Sequence, residues 1–448
     1  MSTVSFGGLV SGLDTDTIVS QLIALEHRPI DLLDEQQTND ENLLSVFQEL
    51  NSKFLSLKTQ AETLNEAEIF QAVTVTSSDD TILIGTGGSS LNTGVYTIEV
   101  TQLAQTHELS SDPFTDGTSS LKRSGDLVIN GKTITLEATD SFNNIRDKIN
   151  STADVGVSAS VLQVSGTDYR LILTSEETGS LGGITIDDTT VAQRLGFIDD
   201  DGAIKNELES AQDATIKIGQ ANPITITRSS NTIDDVIEGV TLNLKQAEPG
   251  TRVNLTVSSD TDSVKQSIQD FVDTYNEVLS YLKEQMSYDE ENDVRGALMG
   301  DFTARTVKST LQKVIVSEVG GLSGSLTALS RIGITSSASG GTLSIDDTRL
   351  TSALTNNLTD VKDLFIGLTD NLTNTLESFT DPYDGLIAHR IEGTQNTIDD
   401  LQDRMDTMET RVSKREEQIR AQFQAMEIAL SQLQSQSAFL TQQINILK

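Results

Sequence analysis

The stretch from Ile398 to Leu447 constrains this chain most. Ile398, Met405, Val412, Ile419, Met426, Leu433, Leu440 and Leu447 recur at a strict seven-residue interval. A second apolar row follows three residues behind, at Leu401 and Met408. Past Arg415 it moves to four residues behind, at Phe423, Leu430 and Ile444. No Gly or Pro interrupts the run. This is the pattern of a long helix that buries one stripe against partner helices. Such a helix spans roughly 75 Å at 1.5 Å per residue. A compact core cannot cover that length, so partners are expected. The alternative is a helix folded back on its own chain, which suits the part before Arg415 best. Beyond Arg415 the polar positions are largely Gln and Ser, which specify register weakly. An element that orders on assembly is expected there.

The other end of the chain offers a matching helix. Residues 1–13 are small, apolar and Gly-rich. Asp14, Thr15 and Asp16 supply N-caps for a helix carrying Ile18, Val19, Leu22, Ile23 and Leu25. Pro29 is expected to end or kink it. A second helix then shows Leu43, Phe47, Leu50, Phe54, Leu57, Ala61 and Leu64, again at alternating spacings of four and three. The economical reading packs the two chain ends together in one leg-like unit.

Between these helices the period changes to two. Strands are expected near Ala72–Thr76, Val95–Val100, Leu127–Asn130, Thr133–Leu136, Val157–Val164, Tyr169–Thr174, Ile184–Ile186, Thr215–Ile218, Ile224–Thr227, Val240–Leu244 and Val253–Val257. Two stretches resemble each other as hairpin, short helix and strand. In one the helix carries Phe142, Ile145 and Ile149; in the other, Ile233, Val236 and Ile237. From Ser263 the helical period returns with Val264, Ile268, Phe271, Tyr275, Val278 and Leu282. A further helix is expected to carry Leu298, Phe302, Leu311, Val314 and Ile315. A small hairpin over Arg331–Ile334 and Thr342–Ile345 follows, then one helix from Leu350 to Phe365. Asp381–Gly385 reads as a turn before the terminal helix.

The fold class is therefore α+β and multidomain: a terminal coiled-coil or helical-bundle leg with inserted antiparallel β-rich domains. The expected division is a terminal leg, mobile in the monomer (1–42 and 408–448), and a helical bundle with a small hairpin (43–70 and 259–407). It continues with a β-rich domain (71–108 and 208–258) and an inserted variable β-rich domain (109–207). Hydrophobic content of 36% and aromatic content of 4%, without Trp, suit several small units.

Composition excludes several functions. A net charge of −36 repels phosphate backbones and anionic membranes, so nucleic-acid binding is not expected. Without cysteine there is no disulfide, thiolate nucleophile or Cys-ligated metal. The first basic residue is Arg28, and Asp14 and Asp16 break the apolar N-terminus, so a cleavable leader is not expected. No run reaches the roughly 18–20 apolar residues of a membrane span.

No catalytic or cofactor pattern emerges. His27, His107 and His389 are far apart and lack metal-ligand spacing. In Gly8-Leu9-Val10-Ser11-Gly12 the serine sits one position too late for a nucleophile elbow. Asp289, Glu291 and Asp293 open like a calcium loop, but Val294 and Gly300 occupy the positions that require Gly and Glu. Among 67 acidic residues, paired carboxylates are expected by chance, so a glycosidase reading finds no support in them. No metal, cofactor or enzyme activity is expected.

Certain residues carry a family resemblance. Gly12-Leu13-Asp14 with Ile18, Leu22, Glu26 and Pro29 resembles the opening of the flagellar filament-capping, or hook-associated protein 2, family. Ser229-Ser230-Asn231, Asp235 and Gly239-Val240-Thr241 are similar to the same family. So are Phe271-Val272, Tyr275-Asn276, Gly296-Ala297-Leu298 and Gly300-Asp301. Ile332-Gly333-Ile334, Gly341, Leu343, Ile345-Asp346, Leu364-Phe365 and the region from Leu440 to Leu447 follow in the same order. The resemblance covers about residues 1–110 and 208–448. Gly125–Val161 resembles a motif repeated in flagellins.

The resemblance implies a ring-shaped homo-oligomer at the distal filament tip that retains exported flagellin and promotes its folding and insertion. It implies β-rich domains in a plate and terminal helices as legs on filament subunits. It also implies junction proteins as neighbours, export through the flagellar type III apparatus, and a dedicated export chaperone. The expected contact seams are Leu13, Ile18, Leu22, Leu43, Phe47, Leu50, Phe54, Leu57, Ile419, Phe423, Met426, Leu430, Leu433, Leu440, Ile444 and Leu447. A tip adhesin for glycans or mucin and another flagellar axial protein are the alternatives.

Overall fold

The structure, a computed structural model, describes residues 12–446 apart from Leu91, Asn292 and Ser339. Two compact units emerge: residues 1–66 with 265–448, and residues 67–264. The expected seam residue Leu447 lies outside the described residues.

The chain opens with α1, Thr15–Asn65, a single helix of 51 residues. Pro29 lies inside it and does not end it, which excludes one of the two outcomes expected there. A proline removes one backbone donor and crowds the carbonyl four residues back. Here buried residues on both sides, Ile23 before it and Ile30 and Leu33 after it, hold the helix together.

The unit 67–264 contains two separate apolar cores. The first module contributes β1 (Val73–Ser77), β2 (Leu83–Gly87) and β3 (Gly94–Gln102) before the insertion. The inserted module holds β4 (Thr106–Ser110), β5 (Gly125–Ile129), β6 (Lys132–Leu136), α2 (Phe142–Ser151), β7 (Val157–Ser165), β8 (Asp168–Thr178), α3 (Thr190–Leu195) and β9 (Glu207–Glu209). The first module then resumes with β10 (Ala214–Ile218), β11 (Ile224–Arg228), β12 (Thr232–Ile237), β13 (Val240–Leu244) and β14 (Val253–Ser259). Its sheets have the orders β1-β14-β3-β10-β11 and β12-β13-β2. They share a core including Leu83, Ile98, Val100, Ile216, Leu242 and Leu255. In the inserted module the sheet β7-β8-β4-β9 and the hairpin β5-β6 enclose Leu127, Ile129, Phe142, Leu171, Leu173 and Phe197. A reciprocal cap between Ser141 and Asn144 starts α2 at Phe142, which places Phe142, Ile145 and Ile149 in that core.

The expected second hairpin–helix–strand unit is absent. Ile233 and Ile237 belong to the strand β12, not to a helix. Their pairing with β13 shifts register between Ile233 and Ile237. Residues four apart share a face in a strand as they do in a helix, so Ile233 and Ile237 fit both periods. Ile184–Ile186 forms no strand; Ile186 makes a single bridge to Ile129.

The helical unit continues with α4 (Thr261–Gln285) and a two-residue hairpin, β15 (Tyr288–Asp289) and β16 (Val294–Arg295). That hairpin occupies the acidic stretch tested as a calcium loop. Next comes α5 (Phe302–Val316), capped by Asp301, so Leu298 precedes the helix. The small hairpin is β17 (Ile334–Ser336) with β18 (Leu343–Ile345). The single helix expected from Leu350 is two: α6 (Asp347–Asn356) and α7 (Leu358–Thr380). Asn357 leaves helical geometry with φ −141° and ψ 41°. Asn readily trades helical backbone for local alternatives. The chain ends in α8, Leu386–Ile446, a helix of 61 residues.

Within this unit the second half of α1 runs antiparallel to α7. Phe54 meets Phe379 at 5.5 Å, Lys58 reaches Glu377 at 3.9 Å, and Asn65 bonds Asp370 at 3.0 Å. Tyr281 of α4 donates to the Val46 carbonyl at 3.3 Å. Arg390 of α8 lies over the Phe47 ring at 5.5 Å.

Candidate assembly interface on the terminal helices

The first half of α1 and the last part of α8 form an antiparallel pair. Asp14 sets where it begins. Its carboxylate accepts from the Thr17 amide at 3.1 Å and the Thr17 hydroxyl at 2.6 Å. The hydroxyl bond first, and the amide bond second, hold its pKa below the ordinary value. Asp16 then meets Arg420 at 2.9 Å, and Gln37 meets Gln402 at 3.3 Å. Glu416 also accepts from Arg420 at 2.8 Å. Glu416 first and Asp16 second raise the guanidinium's pKa.

The buried stripe of this pair is Val19, Ile23, Ile30 and Leu33 against Leu401, Met405, Val412 and Ile419. Met408 and Phe423 flank it. The shift in apolar spacing past Arg415 therefore does not mark the end of pairing. The α1 start lies opposite Arg420. Among the described residues, α1 gives α8 no helical partner beyond about Phe423.

The expected seam residues divide into three sets. Phe47, Leu50, Phe54 and Leu57 are fully buried inside the helical unit. They form an intramolecular core and offer nothing to a neighbour, because α4, α7 and α8 already cover that part of α1. Leu43 is half-buried. Ile419 is buried in the α1–α8 pair, with Phe423 half-buried at its margin. The third set faces outward. Met426 and Leu430 are half-buried, whereas Leu433, Leu440 and Ile444 are each nearly 60% exposed.

A second outward row lies on α1. Leu13 and Leu22 are exposed and Ile18 is half-buried. Leu25 and Leu32, at 60% and 67% exposure, continue the face of Ile18 and Leu22. The sequence reading took Ile18 and Leu22 as the seam. The buried Val19 and Leu33 lie at multiples of seven before Phe47, but the same count also lands on Glu26 and Asp40. Two acids in the row, with Pro29 between them, hide it in the sequence.

The terminal helices thus pair through one stripe and leave two further apolar rows open, one on α1 and one on α8 past Phe423. Rows of large apolar side chains at this exposure mark protein-binding surfaces. Among the described residues, no group of three or more His, Asp or Glu side chains is placed to hold a metal ion. No helix among them is long and apolar enough to cross a membrane. His107 is buried and serves structure: Nδ1 accepts from the Ile184 amide at 2.8 Å, and the other ring nitrogen lies 3.1 Å from Glu207.

Comparison with known proteins agrees with this architecture. Residues 11–107 match the family described as flagellar hook-associated protein 2 N-terminus, and residues 211–435 match its C-terminus. Residues 126–177, within the inserted module, match the flagellin hook IN motif. The flagellar hook-associated protein 2 of Escherichia coli K12 is 30% identical over 99% of this chain and 98% of its own length. The A-type flagellar hook-associated protein 2 of Pseudomonas aeruginosa is 27% identical over 100% of this chain and 98% of its own. Among solved structures, the D1-D2-D3 domains of the flagellar cap protein FliD from Escherichia coli align with a TM-score of 0.68 and 32% identity. They cover 78% of this chain and 99% of that one. These relatives are described as hook-associated protein 2 or cap proteins, not as adhesins or junction proteins. With both terminal matches in order and full-length similarity at 30% identity, the chain belongs to the flagellar hook-associated protein 2 family.

Proposed function

We infer that this chain is a flagellar filament cap, an oligomeric assembly factor that retains exported flagellin at the growing tip and promotes its insertion. One observation carries the reading. In a chain of this family, the paired terminal helices keep two apolar rows open, around Leu22, Leu25 and Leu32 and around Leu433, Leu440 and Ile444. A cap must hold filament subunits and let go repeatedly, and such rows supply contact without enclosing it. The helices past Phe423 and before the bundle act as the leg, and the β-rich modules form the plate of a ring of several copies. Leu13, Ile18, Leu22, Met426, Leu430, Leu433, Leu440 and Ile444 are the proposed contact residues.

Position at the tip, export by the flagellar type III apparatus, an export chaperone and contact with junction proteins complete the reading. The chain acts through binding and not through catalysis. Deleting the gene tests it. Loss of filaments with unpolymerised flagellin in the medium is expected, restored by the parent gene but not by Leu22→Gln/Leu25→Gln/Leu32→Gln. Intact filaments after deletion refute the cap; full restoration by the triple variant refutes the α1 contact row.

A further inference from the structure

The inserted module joins the first β-module through only two chain crossings, at residues 103–105 and 210–213. They pair with each other: Gln105 donates to the Gln212 carbonyl at 2.8 Å, and Gln212 donates back at 3.4 Å. A single narrow ribbon of this kind is a hinge, and relative motion is the default for modules joined so. A third attachment, the C-terminal end of β8, flanks this ribbon and reaches beyond it to Ser229. The Thr178 hydroxyl donates to the Ser229 carbonyl at 2.6 Å. The Gly179 amide donates to the Gln105 carbonyl at 2.9 Å, and the Ser180 amide donates to the Asp213 carboxylate at 2.5 Å. Gly179 has φ +73°, and a Cβ there would overlap the Ser229 backbone and the Asp213 carboxylate. Only glycine combines that backbone with that approach. Two residues on, Asn231 brackets the outgoing crossing. Its side chain accepts from the Ala104 amide at 2.7 Å and donates to the Ala104 carbonyl at 2.8 Å.

We propose that Thr178-Gly179-Ser180, seated on Ser229 and Asp213 with Asn231 holding the crossing, is a lock that makes the two β-modules one rigid body. A ribbon permits rotation about its own line, and an attachment that reaches beyond it removes that freedom. This assigns a positioning role to the Ser229-Ser230-Asn231 stretch, which touches no assembly surface described above. The inference does not depend on the cap reading. If the chain is a cap, force applied to the inserted module reaches the first module undiminished.

The chain has no cysteine, so two spin labels can be placed at will. Full-length protein labelled at Gln163→Cys on β7 and Thr225→Cys on β11, both exposed, reports the distance between the modules. The parent should give one narrow distance peak. Thr178→Val, Asp213→Ala and Gly179→Val should each broaden it by about twofold or more as hinge motion returns. Circular dichroism matching the parent shows which variants are folded, and the two milder substitutions keep the test readable if Gly179→Val misfolds. A broad peak in the parent, or an unchanged width in the folded variants, overturns the lock.

Discussion

At the residue scale, large apolar side chains have opposite duties according to what covers them. Phe54 is fully enclosed against Phe379, whereas Leu440 stands open on the helix end. Phe54→Ala should therefore cost about 3–5 kcal/mol in urea unfolding of the isolated protein. Leu440→Ala should change it by less than about 0.5 kcal/mol, and yet shorten filaments in cells. The reverse ranking would mean that core and contact rows are misassigned. Asp14 contributes a pH dependence. Its folded pKa lies below the ordinary value of 3.8, so its stabilisation is complete above that value and is lost as pH falls through the folded pKa. The first turn of α1 should lose exchange protection in acid in the parent, and Asp14→Ala should remove that dependence. An unchanged profile in Asp14→Ala would place the cap elsewhere.

At the element scale, the long helices were legible and their partners were not. The heptads of α1 and α8 are written in Phe47, Leu50, Phe54 and in Met405, Val412, Ile419. No local pattern tells that α1 turns its second half to α7 and its first half to α8. Pro29 misled because a breaker was weighed alone, without the burial on either side. Pro29→Ala should restore a donor to the Leu25 carbonyl and stabilise the leg by up to about 3 kcal/mol, read by exchange around Leu25. No gain there would show that the helix had already adapted. β12 is ambiguous for another reason: Ile233 and Ile237, four apart, share a face in a strand as well as in a helix. On α8, Gln422, Gln436 and Gln443 are exposed beside the open row. Replacing all three with Leu should tighten the leg against its neighbours and slow elongation; growth at the parental rate would contradict that.

At the scale of the whole molecule, the N-terminal and C-terminal helices pair in one unit while residues 67–264 form another. The alternating strands were readable one at a time, but sheet order was not. β3 pairs with β14, for example Tyr96 with Leu255, across an inserted module that carries its own core. The open face of the leg is half-readable: the sequence offers Ile18 and Leu22 as contact positions, and in the structure Ile18 is half-buried and Leu22 exposed, but it does not separate them from the buried Val19 and Ile23. The central claim is that the leg is a closed pair down to Phe423 and an open assembly element beyond it. Hydrogen exchange on the isolated full-length protein tests this most directly. Residues 398–419 should be strongly protected, with protection falling steeply after Phe423 and low through Ile444. Strong protection from 424 to 444 in a monomer would contradict the account.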